Sequence, residues 1–430
     1  MHIAILGGGF TGLTAAYRLR VRGYKVTVLE RELLAGGLAS GFKAEGWDWY
    51  LERAYHHIFA NDAEILGLAA DSGFADFFFA SPETASLYQV NDTLRVCKLD
   101  TPIDLLTFPL LSPVERIRAG AVLAGLKLSP FLPLYEKYSA ETFLSATMGE
   151  HAYDVLFGEL FRKKFGKYAE NILSSFIWTR INKRTRNLGY VNGGFQRFID
   201  HLITKIRKSG GVVRTGATVR EISRNGNRFT VTVTTGKKTE ILDADRVIST
   251  LPTPILTRLS ARVLPKEYLK QLTGVRYLNA ACLILESKQK VLPSTYWLSV
   301  CVPEMPMMVI LQHTNMVDPK HYGGREILYV ANYIDDGHKL LSMDAEAALE
   351  YYAPALDRIN PAYRKTITGK HFFKAPYAQP IFDADFLTRK PDLQTPTPGL
   401  LIANLDMTYP YDRGTNYAVK LGNEVSAQIG

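Results

Sequence analysis

The apolar positions of the first 30 residues change their period twice. Residues 2–6 form a short apolar run, residues 13–19 carry apolar side chains at helical spacing, and residues 24–29 form a second short run. A buried strand shows a continuous or alternating apolar run, whereas an amphipathic helix repeats every 3.6 residues. The pattern therefore predicts a strand, a helix that ends at Gly23, and a second strand.

Residues 189–259 repeat this alternation of periods. The stretch 196–208 has the period of an amphipathic helix, and strand-like runs follow at residues 212–215, 217–222, 228–234 and 238–242. The last two runs are separated by Thr235, Gly236 and Lys237, a spacing that predicts a β-hairpin. A further apolar run that ends at Pro252 predicts one more buried strand.

The end of the chain adds a third segment of the same kind. Residues 399–404 predict a strand, residues 408–416 a polar loop, and residues 417–428 a helix. Two stretches interrupt these segments: residues 78–188 are helical in composition, and residues 260–378 alternate in strand-sized pieces. The chain is thus expected to be α/β, with one lobe from residues 1–77, 189–259 and 379–430 and an inserted α+β lobe from residues 78–188 and 260–378.

The turn after the first strand carries glycines at a spacing that suits a dinucleotide. Gly7 allows a tight turn, Gly9 lets the backbone approach a pyrophosphate, and Gly12 lets the helix pack closely on the strand. The N-terminus of the helix offers N–H groups to phosphates. Glu30, at the end of the second strand, can accept hydrogen bonds from ribose hydroxyls. Together these features predict a Rossmann-type GxGxxG nucleotide-binding lobe.

Composition and charge limit the classes of protein to consider. The 430 residues are 47% hydrophobic and 22% charged, which is typical of a globular chain. The three cysteines are far apart, so a disulfide framework or a thiolate zinc site is not expected. With no long apolar run and no room for a signal peptide, we expect a cytoplasmic protein, at most peripheral to a membrane. The net charge of +9 favours an anionic partner, but nucleic-acid-binding motifs are lacking.

A glycine pair, Gly36 and Gly37, follows Glu30 by six residues. The order of strand, GGGxxGL, helix, acid and glycine pair resembles the FAD-binding signature shared by amine oxidases, protoporphyrinogen oxidases, phytoene desaturases and UDP-galactopyranose mutases. The resemblance implies an FAD-binding lobe and an inserted substrate lobe. Basic residues often flank the glycine pair in that group, and Leu34 and Leu38 replace them here. A backbone approach to the cofactor needs no side chain, so this role of the pair is kept.

The resemblance extends to the later segments of the first lobe. It implies that the backbone around Val219 meets the adenine and that Asp406 lies by the pyrophosphate or ribitol. The N-terminus of the last helix would point at the pyrimidine edge of the flavin, where a positive helix end stabilises negative charge. The C-terminal stretch contains no cysteine, so FAD is expected to be non-covalent. The expected cofactor-binding residues are Gly7, Gly9, Phe10, Thr11, Gly12, Glu30, Arg31, Gly36, Gly37, Leu38, Val219, Thr250, Asp406, Arg413, Thr415 and Asn416.

Candidate catalytic residues lie in two aromatic stretches. His56 and His57 can hold a substrate or exchange a proton near neutral pH. Neighbouring residues of a strand point to opposite faces, so this pair is not expected to bind a metal. His57 ranks first because the stretch from His57 to Phe59 resembles the segment of UDP-galactopyranose mutase beside its flavin. Tyr411 is the third candidate, and further aromatic wall residues are Trp297, Tyr377 and Tyr409.

The resemblance implies an FAD-dependent oxidoreductase that takes a hydride from a C–H or C–N bond of a hydrophobic or isoprenoid-like small molecule. The alternative is a flavin-dependent nucleotide-sugar isomerase like UDP-galactopyranose mutase. Basic runs at residues 162–167 and 180–186 could hold a phosphorylated substrate. Charge runs usually face solvent, so we expect a solvated surface there.

The stretch 102–134 is strongly apolar but contains Glu115, Arg116, Arg118 and Lys127. These charges argue against a membrane span. Two interpretations stay open, a peripheral contact with an anionic bilayer and a buried helix of the second lobe.

Overall fold

The computed structural model describes residues 1–183 and 185–430. Arg184, part of the basic run at residues 180–186, lies outside the described residues. The strands are β1 (His2–Leu6), β2 (Lys25–Leu29), β3 (Gly41–Phe42), β4 (Leu51–Glu52), β5 (Ile58–Phe59), β6 (Phe77–Ala80), β7 (Glu83–Val90), β8 (Thr93–Cys97), β9 (Leu188–Val191), β10 (Val212–Arg214), β11 (Ala217–Asn225), β12 (Arg228–Thr235), β13 (Lys238–Ala244), β14 (Arg246–Ser249), β15 (Tyr277–Ser287), β16 (Thr295–Val300), β17 (Val309–Gln312), β18 (Glu326–Ile334), β19 (Ile367–Pro380) and β20 (Leu400–Ile402).

Helices connect and cover these strands. The α-helices are α1 (Phe10–Val21), α2 (Ala63–Ser72), α3 (Pro102–Leu106), α4 (Pro113–Leu128), α5 (Leu132–Tyr135), α6 (Ala140–Met148), α7 (Glu150–Tyr153), α8 (Glu159–Phe165), α9 (Ser175–Lys183), α10 (Phe195–Lys208), α11 (Thr253–Leu259), α12 (Lys266–Thr273), α13 (Ala345–Ile359), α14 (Ala384–Arg389) and α15 (Thr415–Ala427). Within the described chain, no helix combines the length and apolar character needed to cross a bilayer.

A five-stranded parallel sheet, in the order β10-β2-β1-β14-β20, forms the base of the first lobe. Its strands come from three separate stretches of the chain. Parallel neighbours cannot be joined by a tight turn, so long crossover connections separate them in the sequence. Helices α1, α10 and α15 pack together around α1. Gly422 of α15 allows this, since a Cβ there would lie 2.6 Å from the Cβ of Thr14. The expected α/β fold with a Rossmann-type lobe is confirmed.

The second sheet has seven strands in the order β19-β15-β18-β17-β16-β7-β8. It unites β7 and β8, from the first inserted stretch, with five strands from the second, so both insertions build one layer. The first inserted stretch, residues 78–188, was expected to be helical, and it contains the helices α3 to α9. The predicted hairpin also forms, with Thr235 of β12 opposite Lys238 of β13.

Candidate active site

The carboxyl ends of the parallel strands bring the predicted cofactor residues together. The register pairs the last residues of β1, β2, β14 and β20 with their neighbours. The residues that follow, Gly7, Glu30, Thr250 and Ala403, therefore share one edge of the sheet. Ligands of open α/β sheets bind at this edge, where the loops diverge.

Two glycines of the turn are required by the packing of the protein itself. Gly7 has φ +105°, and a Cβ there would lie 2.5 Å from Oγ1 of Thr250. The Thr250 hydroxyl donates to the carbonyl of Leu6 at 2.9 Å, which fixes its place beside the turn. A Cβ on Gly12 would lie 2.1 Å from the carbonyl oxygen of Gly7. Thr250 and Gly12 thus hold the turn in its tight form.

Gly9 has no such packing requirement. Its φ is −77°, and a Cβ there would meet nothing closer than 3.9 Å. Gly9 is the N-cap of α1, which begins at Phe10 and Thr11, and no side chain caps the free N–H groups of this helix end. Open space in front of uncapped N–H groups fits the pyrophosphate of FAD.

The glycine pair lies against the glycine turn. The N–H of Gly36 donates to the carbonyl of Gly8 at 2.8 Å, and Gly9 and Gly36 form a parallel bridge. Glu30 accepts from the N–H of Gly8 and from that of Glu32, each at 2.8 Å. Each carboxylate oxygen has a second lone pair, so Glu30 can brace the turn and still accept from a ribose.

Four further predicted contacts lie around this turn. Arg31 is exposed and pairs with Glu32 at 2.9 Å. Gly37 has φ +58° and lies against Gly9, while Leu38 packs partly buried on the core. Val219 lies on β11, whose first N–H donates to the carbonyl of Glu30 at 2.8 Å. The strand with Val219 therefore starts next to the acid, as expected for the adenine end.

Asp406 is buried in the segment that follows β20, the outer strand of the parallel sheet. Its Oδ2 accepts from the hydroxyls of Thr253 and Tyr277, both at 2.5 Å, while its Oδ1 is buried and has no hydrogen-bond partner. Burial raises the pKa of Asp406 to about 6, against the opposing hydrogen bonds. Buried polar atoms are nearly always paired, so the lone Oδ1 fits a hydroxyl of the FAD ribityl chain.

The last helix begins two residues before the predicted start. Thr415 and Asn416 are its first residues, and both are buried. The Oδ1 of Asn416 accepts from the N–H groups of Glu64 and Ile65, at 3.0 and 3.2 Å. Asn416 thus caps α2 from another helix, a structural role that the sequence does not reveal. Its cofactor contact remains a prediction.

The two histidines lie in different surroundings. Nδ1 of His56 contacts the carbonyl of Ala54 at 2.7 Å, so this nitrogen is the donor and Nε2 is left as an acceptor. Burial lowers the pKa of His56 to about 4, which keeps the ring neutral at pH 7. The ring of His57 lies 5.9 Å from that of Trp297, and Trp297 lies 5.0 Å from Tyr55. The structure therefore brings Trp297, a predicted aromatic wall residue, into contact with Tyr55 and His57.

The tyrosines divide between two places. Tyr411 stacks on Tyr417 of α15, with ring centroids 4.3 Å apart and an interplanar angle of 4°. This stack stands beside the N-terminus of the helix that was expected to face the flavin. Tyr409 instead packs with Phe382 and Phe386 and donates to Glu136, so it is not part of the group formed by Tyr55, His57 and Trp297.

One buried acid was not anticipated from the sequence. Glu52 is fully buried and accepts from the hydroxyl of Tyr190 at 2.6 Å and from the N–H of Phe195 at 2.7 Å. Burial raises the pKa of its carboxyl to about 7. The only sequence indication is an acid directly after the aromatic and apolar residues Tyr50 and Leu51.

The basic runs do not form only a solvated surface, so that prediction is wrong for Lys163, Lys164 and Arg180. The Lys163 side chain is 10% exposed and lies beside Glu159. Lys164 of α8 and Arg180 of α9 have side chains only 14% and 25% exposed, and each pairs with Oδ2 of Asp412, at 2.9 and 2.8 Å. The buried pairs formed because two helices of the second lobe face the loop before α15. Arg162 and Lys167 of the same runs are exposed, as expected.

Arg413 lies next to this ion-pair group. Its guanidinium lies 4.9 Å from the ring centre of Tyr333, and its Nε is buried without a hydrogen-bond partner. Across residues 1–183 and 185–430, no group of three or more His, Cys, Asp or Glu side chains could hold a metal ion.

With this geometry in place, similarity to known proteins decides the family. Residues 10–429 match the family of flavin-containing amine oxidoreductases. The chain belongs to this family. An L-amino-acid oxidase of Protobothrops flavoviridis is 25% identical over 310 residues, which cover 67% of this chain and 59% of that protein. The chain thus spans about three fifths of the length of this relative.

Solved structures show the same fold. An oxidoreductase from Methanosarcina mazei superposes with a TM-score of 0.78 at 18% identity, covering 99% of this chain and 100% of the other. Cyclohexylamine oxidase from Brevibacterium oxydans superposes with a TM-score of 0.74 at 13% identity, covering 100% and 98%. The family membership confirms the predicted resemblance and FAD as the cofactor.

Proposed function

We propose that this flavin-containing amine oxidoreductase family member removes a hydride from a C–H bond of a small molecule with a hydrophobic part, for example the C–H bond beside an amine nitrogen. The observation that carries the proposal is the cofactor edge, which offers the uncapped N–H groups after Gly9 and the lone Oδ1 of Asp406. The aromatic group of Tyr55, His57 and Trp297 supplies a candidate surface for the substrate. FAD supplies the hydride acceptor at its N5 atom.

The chain's own residues then bind and orient the substrate. The rings of Tyr55 and Trp297 meet edge to face and offer an apolar wall, which excludes water from the reacting bond. Neutral His56 presents an acceptor nitrogen, so it can take a hydrogen bond from a donor group. The stacked Tyr411 and Tyr417 fix the loop that carries these contacts.

Anaerobic mixing tests the proposal directly. The purified protein, loaded with FAD, should lose its oxidised flavin absorbance on addition of a substrate drawn from primary amines, L-amino acids and apolar alkenes. The Trp297→Ala variant should bleach at least about tenfold more slowly, because the apolar wall is lost. Trp49→Ala is the matched control, since Trp49 stacks on His321 at 3.7 Å, away from the histidine pair. A protein that never binds flavin, or a holoprotein that no such compound bleaches, would refute the proposal.

The second candidate is isomerisation of a nucleotide sugar. The cationic side chains of Lys164, Arg180 and Arg413 favour it, because a diphosphate needs positive partners. The same experiment separates the two functions. A mutase would leave the flavin oxidised with sugar nucleotide and would turn over only after reduction with dithionite, whereas an oxidoreductase bleaches without added reductant.

We also propose that α3 to α5 rest on an anionic membrane surface, at the cytoplasmic face. Of the 16 exposed large apolar side chains in the described chain, eight lie in this region: Ile103, Leu106, Val114, Ile117, Leu128, Phe131, Leu134 and Tyr138. The nearby side chains of Arg116, Arg118 and Lys127 bond to backbone carbonyls, so their charges are not neutralised. Apolar side chains among uncompensated cations favour anionic lipid as the occupant.

Vesicle sedimentation tests this contact. The protein should sediment with vesicles that contain phosphatidylserine and much less with pure phosphatidylcholine. Ile117→Ser should reduce the bound fraction, whereas Ile241→Ser should not, although both side chains are 67% exposed. Equal binding by both variants, or an Ile117-dependent dimer without vesicle binding, would refute a lipid surface.

A further inference from the structure

We propose that Lys164, Arg180 and Arg413 form a subsite that binds an anionic group of the substrate, a carboxylate or a phosphate. The three side chains are called the cation cluster below. The inference rests on the proposed function, because it specifies which substrates the same site accepts.

The cation cluster is assembled from three elements. Lys164 lies on α8, Arg180 on α9, and Arg413 on the loop before α15. Asp412 joins them: its Oδ2 accepts from Lys164 and Arg180, and its Oδ1 accepts from the backbone N–H of Arg413 at 3.0 Å. Residues from the substrate lobe and the cofactor lobe therefore meet at one carboxylate.

The charges of the cation cluster are not balanced by the described residues. Asp412 provides one negative charge for two guanidinium groups and the amine of Lys164. Arg413 forms no ion pair within residues 1–183 and 185–430, and its Nε is buried without an acceptor. Positive charge held out of water without a partner is unfavourable. An anion bound at this point would supply the missing acceptors.

The amine of Lys164 lies in an apolar environment that disfavours its positive charge. Its Nζ lies 4.7 Å from the ring centre of Phe176, so apolar surface replaces water around it. Burial, together with the charges of Arg180 and Arg413, lowers the pKa of Lys164 to about 7, although Asp412 acts in the opposite direction. A second anion near Lys164 would restore its charge.

The cation cluster also lies near the aromatic group of the proposed site. Arg413 lies 4.9 Å from the ring centre of Tyr333, and Tyr55 lies 6.3 Å from the ring of Tyr329, four residues earlier on the same strand β18. Tyr55 in turn contacts Trp297. A substrate could thus place an apolar part on the aromatic wall and an anionic group on the cations. We infer a substrate with both parts rather than a simple cationic amine.

Calorimetry with small probes tests the subsite without turnover. Phenylacetate, phenyl phosphate and neutral phenylacetamide share one ring and differ in charge. The FAD-loaded protein should bind at least one of the two anions about tenfold or more tightly than the amide. The tighter anion identifies whether the natural group is a carboxylate or a phosphate. Equal binding of all three probes would overturn the proposal.

Variants locate the binding in the cation cluster. Arg180→Met should weaken anion binding about tenfold, because one charge-assisted contact is lost. Asp412→Asn should strengthen it, because the internal negative charge is removed. Arg364→Met is the matched control, since Arg364 pairs with Glu350 on the surface, and it should have no effect. Anion binding that is unchanged in Arg180→Met, or weakened in Asp412→Asn while the fold is intact, would overturn the assignment.

The two proposals fail in different ways. A protein that bleaches with substrate but does not prefer the anions retains its proposed function and loses the subsite. A holoprotein that prefers the anions but is bleached by none of the substrates retains the anion site and loses the proposed function. If the flavin itself satisfied the three cations, the holoprotein would bind no added anion, and the subsite would again be refuted.

Discussion

The hydroxyl of Tyr190 donates to the carboxyl group of Glu52 at 2.6 Å, although 138 positions separate the two residues. The other oxygen of Glu52 accepts from the N–H of Phe195, the first residue of α10. No side chain of the adjacent loop caps α10, so Glu52 takes the place of an N-cap. One buried acid thereby links β4, β9 and the start of α10.

Glu52 should make stability depend on pH near neutrality. Its carboxyl has a pKa of about 7 when folded and an ordinary value of 4.5, so the folded state holds the proton more tightly. The associated stability is fully present below pH 4.5 and is lost as pH rises through about 7, by up to about 3 kcal/mol. Urea unfolding of the holoprotein at pH 5 to 8 should show this fall.

Glu52→Gln isolates the effect. The variant should show a flatter dependence between pH 5 and 8, because the amide does not ionise. Glu267→Gln, which changes an exposed acid, should keep the wild-type profile. Parallel profiles for wild type and Glu52→Gln would show that the carboxyl does not titrate in this range.

Gly9 and Gly12 should respond differently to the same substitution. Gly9→Ala has room for its methyl group, so the apoprotein should unfold at the wild-type temperature while FAD affinity falls about tenfold or more. Gly12→Ala would place its Cβ 2.1 Å from the carbonyl of Gly7, so it should destabilise the fold by several kcal/mol. Thermal unfolding and flavin fluorescence titration measure the two effects.

Gly125→Ala is the control for this pair. It lies within α4, and a Cβ there meets nothing within 4 Å. This variant should bind FAD normally and unfold at the same or a slightly higher temperature, since alanine favours a helix by about 1 kcal/mol. Loss of stability in Gly9→Ala would show that a packing contact, rather than the cofactor, requires the glycine.

Asp406→Asn should weaken FAD binding about tenfold or more without loss of fold. The asparagine oxygen can still accept from Thr253 and Tyr277, but an NH₂ group replaces the lone Oδ1 and cannot accept from a ribityl hydroxyl. The apoprotein should be equally or more stable, because a buried acid is removed. Unchanged FAD affinity would place the cofactor away from Oδ1.

Asn416→Ala should lower the free energy of unfolding by about 1 kcal/mol, because the N–H groups of Glu64 and Ile65 lose their acceptor. Asn416→Asp keeps an acceptor and should recover most of this loss. Chemical unfolding of the two variants measures the difference. Equal stability of Asn416→Ala and wild type would refute the capping role.

The local elements were largely predictable from the sequence. The strand at residues 2–6, the hairpin at β12 and β13, and the glycine turn follow from short-range periodicity and from residues with special backbone freedom. Resemblance to the flavoprotein group then predicted the family that similarity confirms.

The contacts that distinguish this protein were not predictable in the same way. Lys164 and Arg180 belong to charge runs that favour a solvated surface, yet both are buried against Asp412, more than 200 positions further along the chain. Asn416 was expected at the cofactor and also caps α2. Such pairings depend on how two lobes and several helices pack, and no local pattern records that arrangement.

By itself, the sequence determined the first strand, the helix after it and the glycine turn, because these depend on residues close together in the chain, and the resemblance to the flavoprotein group implied FAD. The tertiary structure alone decided which buried charges meet: Glu52 with Tyr190, and Lys164 and Arg180 with Asp412. Side-chain burial and partner choice arise only when distant segments exclude water together. That long-range packing brought part of the positive charge together at Asp412.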